Sequence, residues 1–160
     1  MARGEGIRSL FAALSLALLL IPATHCIAGD EVARCIDRVS ATFGIDALPL
    51  ELLREVEGGQ AGTVRRNRDG SEDLGPMQVN SVHLPMLAAF GITREDLRDN
   101  RGCRNVLAAT LLYLRHLRAS RGDPARAIAR YHSATPRHAR RYLMRIQAAI
   151  QRRQGMASRP

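Results

Sequence analysis

The chain predicts a mainly α-helical domain that carries one small β-hairpin. Three observations lead there. Apolar residues recur at helical spacing in several separate runs, one short stretch folds back on itself at an Asp-Gly pair, and 46% apolar with 24% charged residues suits an ordinary core. The 160 residues divide into an export leader over 1–28, one domain over 29–152 and a basic disordered tail over 153–160. No internal repeat breaks that division.

In the leader, Arg3 and Arg8 precede the apolar run Leu10 to Ile21, and Ala28 offers a small residue for cleavage. The run is short for a membrane span, which leaves an uncleaved anchor as a lesser alternative. Cys26 would open a lipoprotein, but His25 stands where a small residue is wanted. Cutting after Ala28 leaves Cys35 and Cys103, an even pair in an oxidising compartment. A disulfide between them would close a long loop around the candidate site and stabilise by roughly 4 kcal/mol. Two buried free thiols are the alternative. Neither cysteine has a partner at ligand spacing, and His83, His116, His132 and His138 form no HExxH pattern, so neither metal nor cofactor is expected.

The elements follow in order. Val32, Cys35, Ile36, Val39 and Phe43 mark a first helix, with Asp30 as its N-cap and Gly44 as its stop. Pro49 opens a second helix that ends at Glu57, where Gly58 and Gly59 let the chain leave. Val64 to Arg66 and Glu72 to Leu74 make the hairpin, reversed through Asn67 to Ser71. Short helices over Ser81 to Phe90 and Thr93 to Leu97 are separated by Gly91. Asn105 to Leu117 is the longest apolar-rich run and reads as a central buried helix. Asp123-Pro124 and Thr135-Pro136 start the last two helices, the final one running to about Gln151.

Function concentrates in residues 57 to 81. On the second helix Pro49, Leu52, Leu53 and Val56 define the apolar face; Glu57 lies roughly 80° from its centre, Glu55 roughly 120° and Glu51 roughly 160°. Only Glu57 reaches the apolar rim. The negative end of a helix and partial burial both favour the protonated form of a carboxyl, and such a carboxyl can serve as a general acid. A solvated helix-end residue is the plain alternative. Gln78 and Asn80 are short amides beside the tight segment Gly75-Pro76-Met77, suited to hydrogen-bonding a neutral polymer such as a sugar chain. Trp is absent, so stacking on a sugar would fall to Tyr113, Tyr131 or Tyr142.

The segments VEGGQ and NRDGSEDLGPMQVNS resemble the catalytic region of the lysozyme-like superfamily. HLPMLAAFGITREDL, the Cys103 segment and ARYHSATPRHARRYLMRI resemble the small lytic transglycosylases that accompany conjugation and type III or type IV secretion machines. The resemblance implies a lysozyme-like α+β fold with the hairpin beside a cleft, and a periplasmic enzyme that cleaves the β-1,4 bond between N-acetylmuramic acid and N-acetylglucosamine in peptidoglycan. It implies that Glu57 is the catalytic acid and base, and that Gln78 and Tyr131 line the glycan groove. Met77, Asn80, His132, Ser133 and Tyr142 complete the candidate substrate-binding set. Gly58 stands where the family has Ser, Ala61-Gly62 where it has Asn-Pro, Pro76 where it has an aliphatic residue, and His132 where Asn is common.

Two carboxylates keep a second mechanism open. NRDGSEDLG also resembles the segment that carries the second catalytic acid of animal-type lysozymes, which would make Asp73 a nucleophile; a hairpin residue bonding its neighbours is the structural alternative. Asp69 and Glu72 read as turn and surface residues. A catalytically weak wall-binding or assembly protein is a third possibility. The formal charge is +9, or +8 without the leader, whose Arg3, Arg8 and Glu5 contribute one. Arg137, Arg140, Arg141, Arg145, Arg152 and Arg153 spread around the last helix, so a solvated basic surface is expected and nucleic acid is not, no nucleic-acid-binding signature being present. The expected partners are glycan strands and components of a conjugation or secretion machine, met by a monomer.

Overall fold

The computed structural model describes residues 28–133 and 135–158. The proposed leader and Cys26 lie outside them. Seven α-helices and a three-stranded antiparallel sheet account for the described chain: α1 Ala28–Phe43, α2 Leu48–Glu57, β1 Val64–Arg66, β2 Glu72–Leu74, β3 Val79–Asn80, α3 Leu84–Leu87, α4 Arg94–Asp99, α5 Arg104–Ala119, α6 Pro124–His132 and α7 Pro136–Ala157. Single 3-10 turns flank α3 and precede α5. The arrangement is the mainly α, lysozyme-like one with a small β unit that the sequence predicts.

Helix α5 is the hub. Val106, Ala108, Ala109 and Leu112 are buried, and the helix packs against α1, α4, α6 and β3. Its apolar stripe is wide because it has neighbours on most sides. It is not the longest helix, however. Helix α7 runs 22 residues to Ala157, about two turns beyond the expected end, so residues 153–157 are helical where the composition suggested a disordered tail. The reason is tertiary: Arg152 donates to Glu55 at 2.8 Å, and Arg153 donates to Glu55 at 3.0 Å and also to Glu51. Those contacts hold Glu55 below the ordinary carboxylate range, chiefly through Arg152. The carboxylates of α2 that face away from the core therefore anchor the end of α7.

Three smaller expectations also change. Helix α1 is already helical at Ala28, which places Asp30 inside the first turn rather than at the cap. The stretch from Ser81 to Phe90 is a 3-10 turn, one α turn and a second 3-10 turn. The hairpin gains a third strand, β3, paired to β2 with Asp73 opposite Asn80. Two residues give no alternating pattern long enough to read as a strand.

The register gives the sheet two faces. Arg65, Asp73 and Asn80 sit side by side on one, while Glu72, Leu74 and Val79 belong to the other two rungs. Leu74 and Val79 enter the core. Glu72, expected at the surface, forms a two-pronged pair with Arg94 at 2.7 and 3.0 Å and ties the hairpin to α4. That pairing holds the Glu72 carboxyl below its ordinary value. Helix α4 is itself set by a reciprocal cap between Thr93 and Asp96.

Cys35 of α1 and Cys103 at the start of α5 are joined across 68 positions, as their number predicts. Cys35→Ser in the oxidised protein is expected to lower unfolding free energy by roughly 4 kcal/mol on the loop-entropy account. Denaturant titration of the variant against wild type measures it, and coincident curves would remove the disulfide from the list of stabilising features.

Candidate active site

Glu57 is the last residue of α2, and its side chain is 10% exposed. Helix α2 ends there because Gly58 adopts a left-handed conformation, φ 65°, and returns its N–H to the Arg54 carbonyl. Gly59 has a different task. A Cβ on it would lie 2.2 Å from the Gly75 carbonyl oxygen and 2.8 Å from Gln78 Nε2, so only glycine allows the helix exit to touch the Gly75–Gln78 turn. That contact brings Gln78 up against the segment that follows Glu57.

The turn is fixed from beneath by Asn105, a fully buried residue of α5 that the sequence reading passed over. Its Oδ1 accepts from the Met77 N–H at 2.9 Å, and its Nδ2 donates to the Leu74 and Leu97 carbonyls at 2.8 Å each. Gln78 sits above in a left-handed backbone conformation, φ 48°, with Nε2 donating to the Gly75 carbonyl at 2.8 Å. Left-handed backbone costs a non-glycine residue roughly 1–2 kcal/mol, which the surrounding bonds must offset. The signal for Asn105 was available as an amide at the start of the apolar run Val106 to Ala109.

Tyr142 donates to Glu57 Oε1 at 2.7 Å from α7. The His132 ring lies flat on the Tyr142 ring, 4.4 Å between centroids and 6° between planes, with its Nδ1 3.8 Å from the same oxygen. Arg145 donates to the Val56 carbonyl in the last turn of α2 and stands over the phenol ring, 5.8 Å from its centre. Tyr142 is buried, so the expectation that it touches substrate is corrected: it positions Glu57. Burial, and next the Glu57 charge, push its phenol well above the ordinary range, leaving a neutral O–H to donate.

Met77 is corrected in the same way. Its side chain is wholly in the core, and the cleft receives only the effect of its carbonyl, which accepts from Tyr131 Oη at 3.0 Å. The Tyr131 phenol is likewise held well above its usual value, by burial first and then by Glu57 and Asp73. Asn80 spends its amide internally, donating to Asp73 at 2.8 Å and Ser71 at 3.1 Å and accepting from the Val82 N–H at 3.0 Å. Asp73, 14% exposed, therefore has Asn80 on one oxygen and Arg65, 3.4 Å away, on the other.

These groups line a cleft of about 550 Å³. Glu57, Asp73, Gln78, Asn80, Tyr131, His132 and Ser133 of the expected set all reach it. His83 and His138 do too, although only His132 was placed there from the sequence. Burial, then the Arg115 charge, keeps the His83 ring below its usual value and so neutral. Arg65, Asn67, Arg68 and Asp69 of the hairpin complete the polar wall, so Asp69, read from the sequence as a turn residue, reaches the cleft as well. A nearly buried carboxyl, further carboxylates and a wall of amides, hydroxyls and imidazoles can hold a polar chain and exchange a proton with it. No group of three His, Cys, Asp or Glu able to hold a metal ion occurs among the described residues.

No family model matches the chain. It is 32% identical over 81 residues to Invasion protein IagB of Salmonella typhimurium, covering 50% of this chain and 51% of that one. It is 31% identical over 90 residues to a Peptidoglycan-binding-like protein of Escherichia coli O157:H7, covering 51% and 53%. The chain thus spans about half the length of the curated relatives it matches.

Asn105→Ala is expected to destabilise the fold by roughly 3 kcal/mol or more, since it strands one buried N–H and two buried carbonyls. A shift of that size in the denaturation midpoint checks it. A change under about 1 kcal/mol would mean that the turn holds itself.

Proposed function

We propose that this protein is a peptidoglycan lytic transglycosylase acting as an exported monomer in the periplasm. The observation that carries the reading is a nearly buried carboxyl, Glu57, held by Tyr142 at the edge of a cleft walled with sugar-compatible polar groups. A relative whose name marks it as peptidoglycan-binding-like supports the choice of polymer.

The chemistry follows from one acid. Glu57 gives its proton to the oxygen bridging N-acetylmuramic acid to N-acetylglucosamine, and the bond from that oxygen to C1 of the muramyl unit breaks. The Glu57 carboxylate then takes the proton of the C6 hydroxyl on the same muramyl unit as that oxygen closes on C1. The products are a new N-acetylglucosamine end and a 1,6-anhydromuramyl end, and no water is consumed. A tethered hydroxyl competes well with water, because good intramolecular alignment corresponds to effective concentrations on the order of 10⁵ M and above. Oε1 takes the Tyr142 and His132 contacts, which assigns the transferable proton to Oε2. Asp73, already bonded to Asn80 and Arg65, supports the positive charge that builds at C1. Local opening of the wall for a conjugation or secretion machine is the task such an enzyme would serve.

One observation favours a second mechanism: Asp73 and Glu57 line the same cleft. If Asp73 attacks C1 directly, water must finish the reaction and the product is a reducing sugar, as in a retaining hydrolase. A wall-binding protein without turnover would yield neither.

Digestion of purified sacculi followed by mass analysis of the fragments distinguishes the three, the reducing product being heavier by one water. Anhydro ends are expected. Glu57→Gln should keep fold and wall binding and lose turnover by roughly 10³ or more, the effect of removing the proton donor. Asp73→Asn should cost only about 1–2 kcal/mol in barrier, a lost charge-assisted bond. Reducing ends together with a dead Asp73→Asn variant would make the protein a lysozyme-type hydrolase instead.

A further inference from the structure

A second groove, about 800 Å³, lies where the end of α5 meets α6 and the start of α7. Arg121, Arg126, Arg130 and Arg140 line it, and no carboxylate does. Arg126 is paired with Asp123 at 3.1 Å, whereas Arg121, Arg130 and Arg140 have no ion-pair partner among the described residues. Three exposed guanidinium groups around one concavity raise the local concentration of anions. The groove also contains Ser120, which is 8% exposed and whose Oγ has no hydrogen-bond partner among the described residues.

Ser133, at the end of α6, lines both the cleft and this groove. The two concavities therefore border the same residue.

We propose that this groove is a binding subsite for the carboxylates of the peptide stems that branch from the muramyl sugar, with Arg121, Arg130 and Arg140 as the charge partners. The assignment of the peptide to the glycan in the cleft rests on the transglycosylase reading. Guanidinium forks match carboxylates in two-pronged geometry. A single-stranded nucleic acid is the competing polyanion, and it fits less well: it binds through aromatic stacking platforms, and no aromatic residue lines the groove. The subsite makes the enzyme prefer wall that still carries its stems over bare glycan.

The test uses the exported chain and the triple variant Arg121→Gln, Arg130→Gln, Arg140→Gln, none of which touches Glu57. Titration with a soluble stem tripeptide needs no turnover, so it is read whether or not the catalytic assignment holds. Wild type should bind it, and the triple variant should bind about tenfold more weakly, the sum expected of three exposed ion pairs, with the difference shrinking at high salt. In digestion, the variant should lose kcat/KM about tenfold on intact sacculi and keep it on amidase-stripped glycan of the same length. Equal tripeptide binding by wild type and variant would overturn the proposal. So would equal losses on both glycans, or a variant that loses affinity for a single-stranded oligonucleotide while still binding the tripeptide. Wild type that binds tripeptide yet cleaves neither glycan would leave the subsite standing and reject the transglycosylase.

Discussion

The buried amide of Asn105 is the constraint on which the site depends. Three backbone groups from two separate segments converge on it, the Met77 N–H and the Leu74 and Leu97 carbonyls. An apolar residue of the same volume would leave all three buried without partners. The turn so held presents the Gly75 carbonyl to Gly59 and Gln78, and Gly59 is the second residue beyond Glu57. The segment that follows the acid is thereby packed against a turn that the Asn105 side chain fixes to the core helix.

A second support comes from α7. Tyr142, His132 and Arg145 form a layered stack against the end of α2, and Arg152 and Arg153 clamp the outer face of the same helix. The basic helix is thus only partly a solvated surface. Its arginines at 145, 152 and 153 are structural, and others line the groove beside the cleft. The departures from the lysozyme-like pattern become intelligible here. Gly58 adopts its left-handed backbone at no steric cost, and His132 gains a flat partner in Tyr142 along with its approach to Glu57.

The sheet divides labour by rung. Its cleft side aligns Arg65, Asp73 and Asn80, so that the second carboxylate is neutralised in place and its orientation is set by two neighbours. Its other side sends Leu74 and Val79 into the core and ties Glu72 to Arg94. On the proposed mechanism this explains why one carboxyl is available for proton transfer while the other serves as a fixed charge.

Much of this was legible in the amino-acid order. Helical period, glycine stops and proline starts placed the end of α2 and the beginnings of α6 and α7, and the Asp-Gly reversal placed β1 and β2, because these depend on neighbours along the chain. The angular position of Glu57 on α2 came from the same local geometry, as did the pairing of two cysteines from their number. Tertiary structure alone decided the rest. Strand β3, the inward side chains of Met77 and Tyr142, the clamps on Glu51 and Glu55, and the arrival of His83 and His138 in the cleft all depend on residues far apart in sequence. Period and propensity report which face of an element is apolar; which polar group meets which across that face is set only when the elements pack, since a hydrogen bond or ion pair needs both partners within about 3 Å.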